Sequence, residues 1–254
     1  MRNVPLATVD RTAAAVLPIA TDYPSGTLLD WHDHRRAQLL YAATGTMLVE
    51  TADGAWTVPG ERAVLIPPRT QHRVRMLDVQ TNSLYVEPDA VPWWPERCRV
   101  VEIAPLVREL LRAAVDLGTP IREADRDRDS ALLALLLIEI ERAPEVPLHL
   151  PLPPVAPLAE LCRAYLAAPD VGVSNADWAR AAAMSERALT REFRAATGMS
   201  PAAWRARARL LAAVPILRHR NVTEVAMLLG YASPAAFSYA FARALGVPPS
   251  DFRP

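Results

Sequence analysis

Two histidines, His32 and His34, flank Asp33. If that segment is a strand, residues i and i+2 project from one face, so the two imidazoles stand side by side. Neutral imidazole is a metal-ligating form, and three of them with one oxygen donor hold divalent Ni, Zn, Fe or Cu. The same groups lining an apolar cavity can instead hydrogen-bond a small organic effector, or one another. Of the other histidines, His72 falls in a second strand-like run, while His149 and His219 fall in a proline-rich stretch and near a helix end, where exposed roles are expected. Cys98 and Cys162 are far apart and outside any metal-type spacing. They read as small buried residues of a reducing compartment.

A second chemistry is polyanion binding. The chain carries 28 basic and 28 acidic residues, yet from Leu158 onward twelve arginines stand against seven carboxylates, a local +5 that leaves −5 before it. All the basic residues are arginine. A basic C-terminal half suits a polyanionic partner.

That half contains a repeat. At an offset of 48, Ser185, Leu189, Phe193, Gly198, Pro201 and Arg205 match Ser233, Phe237, Phe241, Gly246, Pro249 and Arg253. In each copy a Ser can cap a helix, apolar residues at i, i+4 and i+8 make one buried stripe, and Gly supplies a left-handed stop. A short helix is expected before each, Asn175 to Ala183 and Val222 to Leu229. Helix, tight turn and capped second helix, done twice, is the helix-turn-helix plan. Ser200-Pro201 should open a connecting helix reaching about Leu217. An ordinary helical bundle also carries such stripes. The preserved caps, and arginines off the stripes at Arg180, Arg187, Arg191, Arg194, Arg205, Arg207 and Arg209, argue against it.

The elements before the repeat are different. TMLVET and AWTVP flank Asp53-Gly54, and RAVLI, Pro67-Pro68 and HRVRML follow, a spacing of short strands and turns that predicts an antiparallel sandwich or barrel. Residues 105–118 and 130–143 have helical periodicity, closed by Gly118 and Pro144. Residues 144–157 hold too many prolines for helix and read as an extended linker. The expected organisation is a strand-rich domain with a helix pair over 1–143, that linker, and a double helix-turn-helix domain over 158–254. No apolar run approaches the ~18 residues of a membrane span, and the start of the chain lacks a continuous signal-peptide core. A cytoplasmic protein is expected.

The C-terminal residues resemble the AraC/XylS family of transcription regulators, above all VTEVAMLLGYASPAAFSYAFARALGVPPSDFR, with Ala226, Gly230, Tyr231, Ser233, Phe237, Phe241, Gly246, Pro249, Phe252 and Arg253 in the family's places. The resemblance implies that Arg187, Thr190 and Arg191 on the first recognition helix face base edges, as do Pro234, Ala235, Ser238 and Tyr239 on the second, with Arg205 on phosphate. Two positions depart from the pattern: Tyr239 stands where the family often has Arg, and Ala183 where the first turn usually has Gly.

The N-terminal half resembles the family's cupin-type sensor domains. Gly26, His32, His34, Gln38 and Gly45 keep the first cupin spacing with Gln38 replacing an acid, and Gly60, Pro67 and His72 approximate the second, with Arg69 replacing a Gly. This implies an α+β chain: a cupin-like antiparallel β-barrel with a helix pair, then an all-α domain with two helix-turn-helix units. It also implies that His72 joins His32, His34 and Gln38 around an effector or a Ni, Zn, Fe or Cu ion. The expected partners are an operator in double-stranded DNA, the effector, RNA polymerase and a second copy of the chain, on a bacterial nucleoid. The alternative function is a cupin metalloenzyme, a dioxygenase or isomerase, with a helical accessory domain.

Overall fold

The computed structural model describes residues 9–117 and 125–252. Gly118 and Arg253, expected as a helix stop and as part of the repeat, lie outside the described residues. The chain divides into two compact units, one of Met1–Glu50 with Val58–Pro147 and one of Thr51–Thr57 with Leu148–Pro254.

The strands are β1 (Val16–Tyr23), β2 (Leu28–His32), β3 (Ala37–Ala42), β4 (Thr46–Thr51), β5 (Gly54–Pro59), β6 (Arg62–Ile66), β7 (His72–Leu77), β8 (Val79–Val86), β9 (Arg99–Glu102) and β10 (His149–Pro151). They form two five-stranded sheets, ordered β1-β8-β3-β6-β9 and β10-β5-β4-β7-β2. Sequence period decides their faces. In β7, His72, Val74 and Met76 are buried and alternate with the more exposed Arg73 and Arg75, as expected of a strand with one covered face. The strand β3, AQLLYA, is buried at every position. Its odd residues Ala37, Leu39 and Tyr41 join a core with Leu84, Val86, Val101 and the helices α1 (Pro105–Val115) and α2 (Arg126–Glu141), through Val107, Leu111, Leu136 and Ile140. Gln38 and Leu40 therefore belong to the opposite face. At Gly45, with φ of +71°, a Cβ would lie 2.2 Å from the Asp78 carbonyl oxygen, so this turn admits only glycine.

The second unit opens differently from expectation. Within residues 144–157 lie the strand β10, whose His149, Leu150 and Pro151 pair with Trp56, Ala55 and Gly54, and the first residues of α3 (Ala156–Ala167). The prolines permit an edge strand because its outer side needs no N–H. The Trp204 indole donates to the Pro151 carbonyl at 2.7 Å, so this stretch is part of a folded unit.

The remaining helices are α4 (Asn175–Ala181), α5 (Glu186–Thr197), α6 (Pro201–Leu217), α7 (Val222–Leu228) and α8 (Pro234–Leu245). Two aromatic clusters hold them. Tyr165, Trp178, Phe193 and Trp204 pack with ring centroids 5.7–6.3 Å apart. Phe237 and Phe241 pack with Tyr231 and Phe252 at 5.3–5.5 Å. Each cluster underlies one helix-turn-helix unit, which is the apolar stripe of the repeat put to use. No described helix is long and apolar enough to cross a membrane.

Candidate DNA interface and effector site

The two units are built alike. Ser174 and Asn221 cap α4 and α7 in reciprocal capping boxes with Asp177 and Glu224, satisfying N–H groups that a helix start leaves free. Ser185 accepts from the Ala188 N–H at 3.2 Å and Ser233 from the Ala236 N–H at 3.1 Å. The helices α5 and α8 then run twelve residues each and stop at Gly198 and Gly246, both left-handed. Leu189 and Phe193 of α5, like Phe237 and Phe241 of α8, are fully buried. The opposite face is thereby fixed outward. On α5, Glu186, Arg187, Thr190, Arg191, Arg194 and Ala195 line one shallow surface depression. On α8, Pro234, Ala235 and Tyr239 are exposed and Ser238 is half-buried.

The histidines also come together. His32 and His72 are directly paired across β2 and β7, with ring centroids 4.3 Å apart, and His34 lies 5.3 Å from His72. His34 falls beyond the end of β2, after a register shift, so it reaches the cluster from a turn instead of by strand alternation. Its Nδ1 meets the Arg36 carbonyl at 2.7 Å, as His72 Nδ1 meets Thr70 and His32 Nδ1 meets Asp30, at 2.7 and 2.6 Å. Burial lowers the pKa of His34, and brings that of His72 down to about 3, with the neighbouring imidazoles adding to the effect. Both rings are neutral at physiological pH. Gln38 sits between the His34 ring and the Tyr85 phenol, with its carbonyl oxygen 3.1 Å from His34 Nε2 and its amide N–H donating to the Tyr85 hydroxyl at 2.8 Å.

A family model for an AraC-like ligand binding domain matches residues 14–140, and one for a helix-turn-helix domain matches 178–254. The HTH-type transcriptional regulator NimR of Escherichia coli is 31% identical over 223 residues, covering 87% of this chain and 81% of that protein. The chain belongs to the AraC family of DNA-binding transcription regulators. RipA, an HTH-type transcriptional regulator of Corynebacterium glutamicum, is 32% identical over 103 residues, 40% of this chain and 31% of that one. Among solved structures, the DNA-binding domain of AdpA in complex with a target DNA is 35% identical and covers 38% of this chain and 88% of its own, with a TM-score of 0.34.

One expected contact of this AraC-family chain is corrected. Arg205, read from sequence as a phosphate ligand, is only 5% exposed. Its guanidinium lies 4.8 Å over the Trp178 ring and donates to Asn175 Oδ1 at 2.8 Å. It braces α6 against α4 instead of facing solvent. Its place in sequence held the signal, one turn after buried Pro201 and beside buried Trp204 and Ala208 on the same helix. Arg207 and Arg209 likewise turn inward, to the Ala244 carbonyl and the Tyr165 hydroxyl. The sequence reading missed Tyr85, which only strand pairing sets opposite Gln38. It also missed the two capping boxes, although S-x-x-D and N-x-x-E are legible.

Proposed function

We propose that the chain is an effector-controlled regulator that binds a specific operator as a homodimer in the bacterial cytoplasm, on the nucleoid. The observation that carries this reading is the pair of equivalently capped helices, α5 and α8, each with one buried and one outward face. Connected by α6, whose 17 residues span ~25 Å at about 1.5 Å per residue, they suit two successive major grooves on one side of a duplex. Arg187 and Arg191 would read base edges, and Arg194, the remaining arginine of α5, would neutralise phosphate. Genome-wide mapping of bound DNA, followed by binding at rising salt with a recovered site, tests this. Affinity should be site-selective and fall steeply with salt. Binding that ignores sequence sinks the operator reading.

The effector is proposed to bind where His32, His34, His72, Gln38 and Tyr85 converge, a mostly buried set of hydrogen-bonding groups suited to a small polar organic molecule. Its preference between two conformations of the chain would set operator affinity. A metal reading has one observation in its favour: the three Nδ1–carbonyl contacts hold the rings as metal-ligating histidines are held, with His34 Nε2 having to leave Gln38 to reach an ion. Against it, among the described residues no three His, Cys, Asp or Glu groups are arranged to hold a metal. Metal content after chelator-free purification separates the two. About one Ni, Zn, Fe or Cu per chain, lost in His34→Ala, would establish the metal; negligible content with no stabilisation by added ions leaves the organic effector.

The helix pair supplies the dimer surface. On α2, Leu136 and Ile140 face the sheet, while Ala131, Ala134, Leu135 and Ile138 make an exposed apolar stripe at helical spacing. A second copy of the chain would cover it. RNA polymerase is a further partner of the DNA-bound form.

A further inference from the structure

Superposed through their repeat, the two helix-turn-helix units present different chemistry from the same positions. The offset of 48 sets Arg187 against Ala235, Thr190 against Ser238, Arg191 against Tyr239 and Arg194 against Ala242. The preceding helices, offset by 47, set exposed Arg180 against Met227. The two frames are otherwise alike: a serine cap, a twelve-residue recognition helix, a left-handed glycine stop and a buried apolar pair at equivalent positions, Leu189 and Phe193 against Phe237 and Phe241. Every guanidinium fork on the outer face of α5 is thus replaced on α8 by a methyl or a phenol. Tyr239 is 68% exposed and Met227 73%, and the one arginine of α8, Arg243, lies in its last turn.

A major groove presents two kinds of feature to such faces. Guanine offers the paired N7 and O6 acceptors that an arginine fork grips, and thymine offers a C5-methyl group that small apolar side chains cover. An outer face of Pro234, Ala235 and Tyr239 has no fork for guanine and does have surface for methyl groups. We propose that the operator is chemically asymmetric: the half read by α5 is specified by guanine edges, and the half read by α8 by thymine methyl groups packed against Pro234, Ala235 and Tyr239. The inference rests on the DNA-binding reading above and adds to it the base class taken by each unit.

Selection of binding sites by the full-length protein from a random-sequence duplex library, followed by base-analogue substitution in a selected site, tests it. Replacing thymine with deoxyuridine in the α8 half removes only the methyl group, and should weaken binding by about fourfold per contacted methyl. The same replacement in the α5 half should change it less than twofold. Guanine to 7-deazaguanine, which removes N7, should show the reverse pattern, with a loss of tenfold or more confined to the α5 half. Tyr239→Ala, a change at an exposed position, should abolish the deoxyuridine effect at one base pair while leaving the 7-deazaguanine effect intact. Deoxyuridine effects that are absent, or equal in the two halves, overturn the proposal. So does protection of the α5 half alone, which would hand the Met227, Leu228 and Tyr239 surface to a protein partner. Failure to bind any duplex at low salt is a different result, since it removes the DNA-binding reading itself and this inference with it.

Discussion

At the scale of single residues, two of the departures from family pattern share one physical consequence. Arg69 and Ala183, which stand where glycine is usual, adopt φ of +56° and +53°. A side chain in the left-handed region costs about 1–2 kcal/mol, partly offset because it leaves the unfolded chain less conformational freedom than glycine would. Both positions are held by backbone bonds: Arg69 N–H donates to the His34 carbonyl at 2.8 Å, and the turn at Ala183 closes through Met184 N–H to Ala179 at 2.8 Å. Ala183→Gly is expected to stabilise the helical unit by about 0.5–1 kcal/mol, read as a higher melting temperature with unchanged operator affinity. Arg205→Ala should do the opposite, lowering stability by about 1–3 kcal/mol. Its operator binding at temperatures where the variant is folded should keep the parent's salt slope; a slope reduced by about one would return Arg205 to a phosphate.

His72 makes a pH prediction. Its pKa falls from an ordinary 6.5 to about 3 on folding, so the folded state resists a proton that the unfolded state takes up. The resulting stability is fully present above pH 6.5 and is lost as pH falls toward 3, at about 1.4 kcal/mol per pH unit for one fully coupled group. Chemical denaturation across that window should give a slope that His72→Gln reduces, with the buried His34 supplying part of the remainder. An unchanged slope in the variant would assign the acid sensitivity elsewhere.

At the scale of elements, α5 and α8 owe their outward faces to caps and aromatic cores more than to propensity. Ser185 and Ser233 each satisfy an N–H of the first turn, so Ser185→Ala should cost about 1 kcal/mol. Arg191, exposed on α5 beside Glu192, tests base reading separately. Arg191→Ala should cost about 1–3 kcal/mol of binding on the operator and relax preference at one base pair, with the melting temperature unchanged. A loss equal on all sequences would mean that Arg191 contacts phosphate and that α5 sits differently in the groove.

At the scale of the whole molecule, the stripe of Ala131, Ala134, Leu135 and Ile138 decides assembly. Leu135 and Ile138 are 40% and 46% exposed, so charges there should not disturb the core beneath. Leu135→Glu with Ile138→Glu is expected to give a folded monomer by sedimentation, with operator affinity reduced because two linked units no longer bind together. A variant that stays dimeric would move the interface off α2.

Much of this was written locally and so could be read without coordinates. The serine caps, the glycine stops and the i, i+4, i+8 stripes depend on residues within one or two turns, which is why the repeat and both helix-turn-helix units were legible. The two-residue alternation of HRVRML and the Asp53-Gly54 turn announced strands for the same reason. Sequence could not tell which polar groups face inward. Arg205 looked like its exposed neighbours until Trp178 and Asn175, on another helix, closed over it. Nothing near Gln38 in the sequence pointed to Tyr85, which strand pairing alone set beside it. Residues 144–157 read as linker until β10 found β5, about a hundred residues earlier. Such contacts join distant parts of the chain, and nothing in the local pattern of any one segment fixes its distant partner. Local residue order determined the elements and their outward faces, and long-range packing alone decided which charges and rings were taken out of water.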